Sequence, residues 1–118
     1  HRDSISGGGS DKVKTVAEVQ GKKCAQVMLV MGSQSGSQTH FPNWKENLKL
    51  ALRLQQTLEN KYPTLARPLS LTSSGYNESL TNGSLLIEFG TDANTVEEAR
   101  YSAGLVGNAL ADLLNNLK

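Results

Sequence analysis

A single carboxylate interrupts the most apolar run of the chain. Residues 84–90 read SLLIEFG, which places Glu88 among leucine, isoleucine, phenylalanine and glycine. A run this apolar predicts a buried strand of a parallel sheet, where an unpaired carboxylate needs a partner or a proton. Ligands of open α/β sheets bind at the carboxyl ends of the strands, so Glu88 is a candidate general base or metal-site residue. The alternative is a strand-end glutamate that faces solvent or pairs with a lysine.

The histidines form no self-contained metal motif. His1 and His40 are distant in sequence, and no His-x-x-x-His spacing occurs. His40 precedes a predicted helix, where a loop or capping role suits it. An amino-terminal His1 could chelate copper with a second histidine, but none is suitably placed. The glycine-containing stretches at 7–9 and 35–36 do not match a phosphate-binding loop.

Composition excludes several classes of function. The 118 residues, 37% hydrophobic and 19% charged, predict one globular domain over 1–118. A net charge of +1 without a basic run gives no footprint for nucleic acid. Cys24 is the single cysteine, which excludes an internal disulfide and a cysteine zinc cluster. No apolar stretch approaches the ~20 residues that span a bilayer, so no membrane segment is expected.

Hydrophobic periodicity predicts an alternation of strands and helices. Strands are expected at 13–19, 25–31, 67–72 and 84–90, and helices at 43–60 and from Thr95 to the carboxyl terminus, with loops at 33–39 and 73–83. Thr95 followed by Glu98 fits a capping box. Gly104 and Gly107 in the last helix indicate close approach to the sheet. The order of elements predicts an α/β fold with right-handed crossovers.

Several segments together resemble a known enzyme family. The sequence LLIEFG at 85–90, followed by NTVEEA at 94–99, resembles the last strand and helix of zinc-dependent N-acetylmuramoyl-L-alanine amidases. The stage II sporulation protein P branch is the closer match. HRDS at 1–4 and PNWKENLK at 42–49 fit its pattern, as do the Tyr-Pro and Tyr-Asn pairs that follow. The resemblance covers nearly the whole chain, and the order and spacing of the segments carry it.

The resemblance implies a reaction and two residue roles. His1 matches a zinc-ligand histidine, and Glu88 matches the glutamate that activates water at the zinc. The implied substrate is peptidoglycan, cut at the amide between the lactyl group of muramic acid and L-alanine. The implied location is the cell envelope outside the cytoplasm, and a partner cell-wall hydrolase is a further implied partner. The implied fold has three layers, with a mainly parallel central sheet flanked by helices.

The sequence departs from the family pattern at its start. The family takes its first histidine and a carboxylate ligand from segments before the His-Arg-Asp motif, and this sequence begins with that motif. We therefore expect the carboxyl-terminal portion of an amidase catalytic domain, with two zinc ligands upstream. The loop at 33–39 is longer and more polar than the family pattern. The alternative is a non-catalytic binding or structural domain that retains the fold without a complete metal site.

Overall fold

The chain folds into two helices and several small sheets. The computed structural model describes residues 1–34 and 40–117, so most of the loop expected at 33–39 lies outside the described residues. The elements are β1 (Ser6–Gly8), β2 (Asp11–Lys12), β3 (Val16–Val19), β4 (Lys22–Ala25), β5 (Val27–Gly32), α1 (Trp44–Lys61), β6 (Ser70–Thr72), a 3₁₀ turn (Glu78–Leu80), β7 (Leu86–Phe89) and α2 (Val96–Asn116). Within these ranges neither helix is long and apolar enough to cross a membrane. A mixed α/β fold is confirmed.

The central sheet has the strand order β6-β5-β7. β6 runs parallel to β5, whereas β7 runs antiparallel to it and pairs Val27 with Phe89 and Val30 with Leu86. The prediction of a parallel strand around Glu88 is therefore wrong. The connection at 73–85 contains only a 3₁₀ turn, and it enters β7 at the end of the sheet where β6 stops. A parallel strand would require a return crossover along the whole sheet, usually a helix.

The first residues of the chain extend this sheet beyond β7. The amine of His1 donates to the carbonyl of Ile87 (3.0 Å), and the amide of Phe89 donates to the carbonyl of His1 (2.8 Å). The amide of Asp3 then donates to Gly90, at 2.9 Å, and a parallel bridge joins Asp3 to Thr91. The backbone of β7 is thus hydrogen-bonded on both sides.

Both helices contribute to one core. α1 confirms the helix predicted at 43–60 to within one residue at each end. The buried core contains alternate residues of β5 and the inner faces of both helices: Val27, Leu29, Met31, Ala51, Leu54, Leu58, Leu105, Val106, Ala109 and Leu113. In the described part of the chain, the helices therefore cover the same face of the sheet. A second helical layer, which three layers would require, stays a prediction for a longer polypeptide.

A hairpin lies where the sequence predicts a strand at 13–19, a turn at 20–23 and the start of a second strand at 25–31. β3 and β4 pair antiparallel around Gln20 and Gly21, both of which have positive φ. The turn is shorter than the predicted 20–23, since residues 22 and 23 already belong to β4. Ala25 ends β4, so that the predicted strand at 25–31 is in fact the end of one strand and most of the next.

The start of α2 confirms the predicted capping box. The amide of Glu98 donates to the Thr95 hydroxyl at 3.0 Å, and the Glu98 carboxylate accepts from the amide of Thr95 at 3.3 Å. Burial alone would raise the pKa of Glu98, but hydrogen bonds from Asn94, Lys14 and Thr95 outweigh it and lower the pKa to about 2. Glu98 is therefore a charged anchor for the helix start.

Replacing Thr95 by alanine tests this cap. We expect the free energy of unfolding to fall by about 1 kcal/mol, because the amide of Glu98 loses its acceptor. Urea denaturation measures the change, and Thr95→Ser is the matched control because it keeps the hydroxyl. An unchanged midpoint for Thr95→Ala would show that the cap does not contribute.

The buried face of α2 differs from the apolar stripe that the sequence predicts, which runs through Val96, Ala99, Ala103, Val106, Leu110, Leu113 and Leu117. Val96, at the head of that stripe, is 60% exposed, whereas the polar Glu98 and Ser102 are buried. Ser102 is held there by donating to the carbonyl of Ala25. The expected close approach at Gly104 and Gly107 is wrong, since a Cβ at either position would meet nothing within 4 Å among the described atoms.

Candidate active site

Glu88 is the third residue of β7 and lies opposite Met28 on β5. Its neighbours Ile87 and Phe89 pack against the helical core, so its side chain projects from the other face of the sheet. Because β7 is antiparallel to β5, its carboxyl end meets the start of β5. Glu88 therefore lies near the carboxyl end of its strand, as expected, but this end does not meet the carboxyl end of β5 as it would in a parallel sheet.

The environment of Glu88 favours its protonated form. Burial is the main cause that raises the pKa of this carboxyl, and the nearby carboxylate of Asp3 raises it further. The chain's amino-terminal charge and Arg67 act in the opposite direction. The Oε2 atom is buried and has no hydrogen-bond partner among the described residues. A buried carboxylate oxygen without a partner is costly unless a proton, a water or a cation completes it.

His1 is the residue paired with Glu88 across the sheet. The hydrogen bonds of its amine and carbonyl bracket Glu88, one to Ile87 and one from Phe89. Residues opposite each other on neighbouring strands project to the same face of a sheet. The fold therefore brings together the two site residues predicted from the sequence, with the side chain of His1 exposed.

A cavity of about 420 Å³ lies beside the first residues, on the helical side of the sheet. It is lined by His1, Arg2, Phe89, Val96, Ala99, Arg100 and Ala103. Glu88 is not among the lining residues. The alternation of side chains along β7 directs Phe89 towards this cavity and Glu88 towards the other face of the sheet.

Arg2 and Asp3 fasten the chain start to the turn after β7. The Arg2 guanidinium donates to the carbonyl of Thr91 at 2.7 and 3.1 Å, and also to the carbonyl of Asn94. Asp3 accepts from Arg67, Nη1 to Oδ2, at 3.1 Å. Sequence reasoning gave these three charged residues no role, because their partners lie more than 60 positions away.

A second buried acid lies at the other end of the sheet. Glu78 is 2% exposed, and its Oε1 accepts from the amide of Gly32 at 2.8 Å. Burial is the main cause that raises the pKa of this carboxyl. The fully buried Asn47 donates to the carbonyl of Glu78 and accepts from the amide of Ser84. This network fixes the connection into β7. In sequence, Glu78 stands in a polar loop that gives no sign of burial.

The described residues do not hold a complete metal site. Over 1–34 and 40–117 no group of three or more histidine, cysteine, aspartate or glutamate side chains could hold a metal ion. His40 is exposed, and the adjacent Phe41 packs against Gly32, at the far end of β5 from Glu88. One imidazole and one carboxylate oxygen without a partner fit a ligand and a base, whereas a catalytic zinc takes three protein ligands.

Comparison with known proteins identifies the family. The family model described as stage II sporulation protein P matches residues 1–111. Stage II sporulation protein P of Bacillus subtilis (strain 168) is 37% identical over 122 residues, which cover 99% of this chain and 27% of that relative. The chain thus spans about a quarter of the relative's length. No solved structure matches. The chain belongs to the stage II sporulation protein P family.

Proposed function

We propose that this chain is the carboxyl-terminal part of a zinc-dependent N-acetylmuramoyl-L-alanine amidase that acts on peptidoglycan. The observation that carries the proposal is the pairing of His1 with Glu88, whose buried Oε2 lacks a partner among the described residues. A histidine paired in the sheet with a glutamate whose carboxyl has a raised pKa suits hydrolysis, in which one group binds and the other moves a proton.

Each residue has a distinct role in the proposed mechanism. The His1 imidazole would be one protein ligand of the zinc, which when bound supplies a Lewis acid and lowers the pKa of water towards ~7. Glu88 accepts a proton from the attacking water and passes it to the departing amine of L-alanine. The products are the lactyl carboxylate of muramic acid and a free stem peptide. The raised pKa of Glu88 brings its proton affinity closer to neutral pH, where such a transfer is efficient.

The proposal extends to the longer polypeptide. The other zinc ligands and the second helical layer would come from the remaining part of a protein as long as the Bacillus relative. Because peptidoglycan lies outside the cytoplasmic membrane, we place the active protein in the cell envelope. A second cell-wall hydrolase that cuts the glycan strands is a partner consistent with this substrate.

A non-catalytic domain is the second candidate. The observation that favours it is that the described residues offer one histidine paired with Glu88 and no three-residue metal cluster. In that case the chain would have a binding or structural role at the cell wall, with the amidase fold but without a complete metal site.

Zinc titration separates the two candidates. We expect the 118-residue chain alone to bind zinc weakly and to release no dye from labelled cell wall. A polypeptide extended to the relative's length should bind one zinc tightly and release dye, because the open site needs all three ligands. Calorimetry measures the first quantity and a cell-wall dye-release assay the second. Tight one-to-one binding by the short chain would show that the ligands are misassigned, and an inactive, metal-free long polypeptide would favour the non-catalytic domain.

A further inference from the structure

We propose that Arg67 is a positioning residue that holds residues 1–3 against β7 and thereby keeps His1 opposite Glu88. The inference rests on the function proposed above, in which His1 and Glu88 act together. Arg67 belongs neither to a predicted motif nor to the cavity lining, yet its side chain reaches the segment that carries His1.

The backbone of Arg67 is fixed to the rest of the fold. Its amide donates to the carbonyl of Val27 at 2.7 Å, next to an isolated parallel bridge that joins Val27 to Ala66. Its carbonyl accepts from the Gln55 side-chain amide of α1 at 3.0 Å. The backbone of Arg67 is thus held by both β5 and α1, and its guanidinium reaches Asp3 from this fixed position.

The ion pair with Asp3 differs from the others in the described part of the chain. The side chains of Arg67 and Asp3 are 24% and 26% exposed, whereas each of the other ion pairs among the described residues has one partner that is at least 50% exposed. Pairs shielded from water are screened less than exposed ones.

The ion pair of Arg67 and Asp3 lies close to the candidate ligand His1. Asp3 lies two residues after His1, and the segment is joined to β7 through few backbone hydrogen bonds. A segment joined by few hydrogen bonds opens readily unless a side chain anchors it. Loss of the anchor should therefore release His1 from Glu88 while the core, which contains neither Arg67 nor Asp3, stays folded.

Amide hydrogen exchange tests the anchor directly. In Arg67→Ala, exchange of the Phe89 and Asp3 amides, which join the segment to β7, should be about tenfold faster. The Gly90 amide donates instead to Gln26 on the β5 side and should keep its rate. Lys12→Ala, which removes the more exposed pair with Asp92, is the matched control and should change neither rate.

Further variants separate anchoring from general loss of structure. Asp3→Asn keeps the volume and should accelerate the same two amides, so the test survives if Arg67→Ala does not fold. The exchanged pair Asp3→Arg with Arg67→Asp should restore slow exchange. In a polypeptide of the relative's length, Arg67→Ala should weaken zinc binding about tenfold at an unchanged unfolding midpoint.

Unchanged exchange in both single variants would overturn the inference, and so would equal acceleration at Gly90. Failure of the proposed function is recognised separately, because the unmodified long polypeptide would then bind no zinc while the exchange result still decides the role of Arg67.

Discussion

Replacing Glu88 by glutamine in a polypeptide of the relative's length is expected to lower the rate of amide hydrolysis by a factor of about 10²–10⁴, the usual contribution of a general base. Glutamine keeps the shape of the side chain but cannot take a proton from water. Burial raises the pKa of Glu88, so the neutral amide should leave stability unchanged or slightly higher. Glu88→Ala should lower the rate similarly, because it also removes the base. Glu88 does not belong to the hydrophobic core, so this change should leave the core intact.

The measurement is dye release from purified cell wall, beside a urea unfolding curve for each variant. Glu97→Gln is the matched control, because Glu97 is an exposed acid in the first turn of α2. It should retain the unmodified rate. A Glu88→Gln variant with the unmodified rate would remove Glu88 from the mechanism, whereas a lowered rate with a lower unfolding midpoint would indicate a structural role.

Replacing Gly90 by alanine is expected to destabilise the chain by about 3 kcal/mol or more. Gly90 has φ +68°, and a Cβ there would lie 2.6 Å from the Cβ of Ala25 and still closer to the Asn94 side-chain oxygen. A left-handed conformation costs a residue with a Cβ about 1–2 kcal/mol, and overpacking adds about 1–3 kcal/mol. The Gly90 carbonyl accepts a hydrogen bond from the amide of Asp3, so the contact of residues 1–3 with β7 should weaken as well.

Gly107→Ala is the opposite case and serves as the control for Gly90→Ala. A Cβ at this exposed helical position meets nothing within 4 Å among the described atoms, so alanine should stabilise α2 by about 1 kcal/mol through its higher helix propensity. Urea denaturation of both variants gives the comparison. Equal stability of Gly90→Ala and the unmodified chain would show that the turn relaxes without cost.

Local signals explain why the helices were predictable. The capping box at Thr95 and Glu98 involves residues three positions apart, and the apolar stripe of α1 repeats within each turn. Strand direction is not local. Whether β7 runs with or against β5 depends on the path of the connection at 73–85, and hydrophobic runs of either direction look alike. Hydrophobic periodicity therefore could not predict the antiparallel pairing of β7 with β5.

The candidate site was predictable only in part for the same reason. Glu88 stands out because a charge interrupts an apolar run, and the family resemblance singled out His1. Arg67 and Asp3 are isolated charges in polar surroundings, and only the fold makes them partners. The burial of Glu78 cannot be read from the sequence either, because it follows from hydrogen bonds that Gly32 of β5 and Asn47 of α1 donate to it.

The pairing of the chain start with β7 has a consequence for the order of folding. His1 bonds to Ile87, 86 positions away, and Arg2 bonds to Asn94 across 92 positions. Closing a loop of that length costs more entropy than closing a shorter one, and contacts between residues so far apart in sequence slow folding. During synthesis, residues 1–3 cannot pair with β7 until residues 87–94 have emerged. The proposed ligand and base therefore come together late in folding, and a partly folded chain does not yet contain the assembled pair.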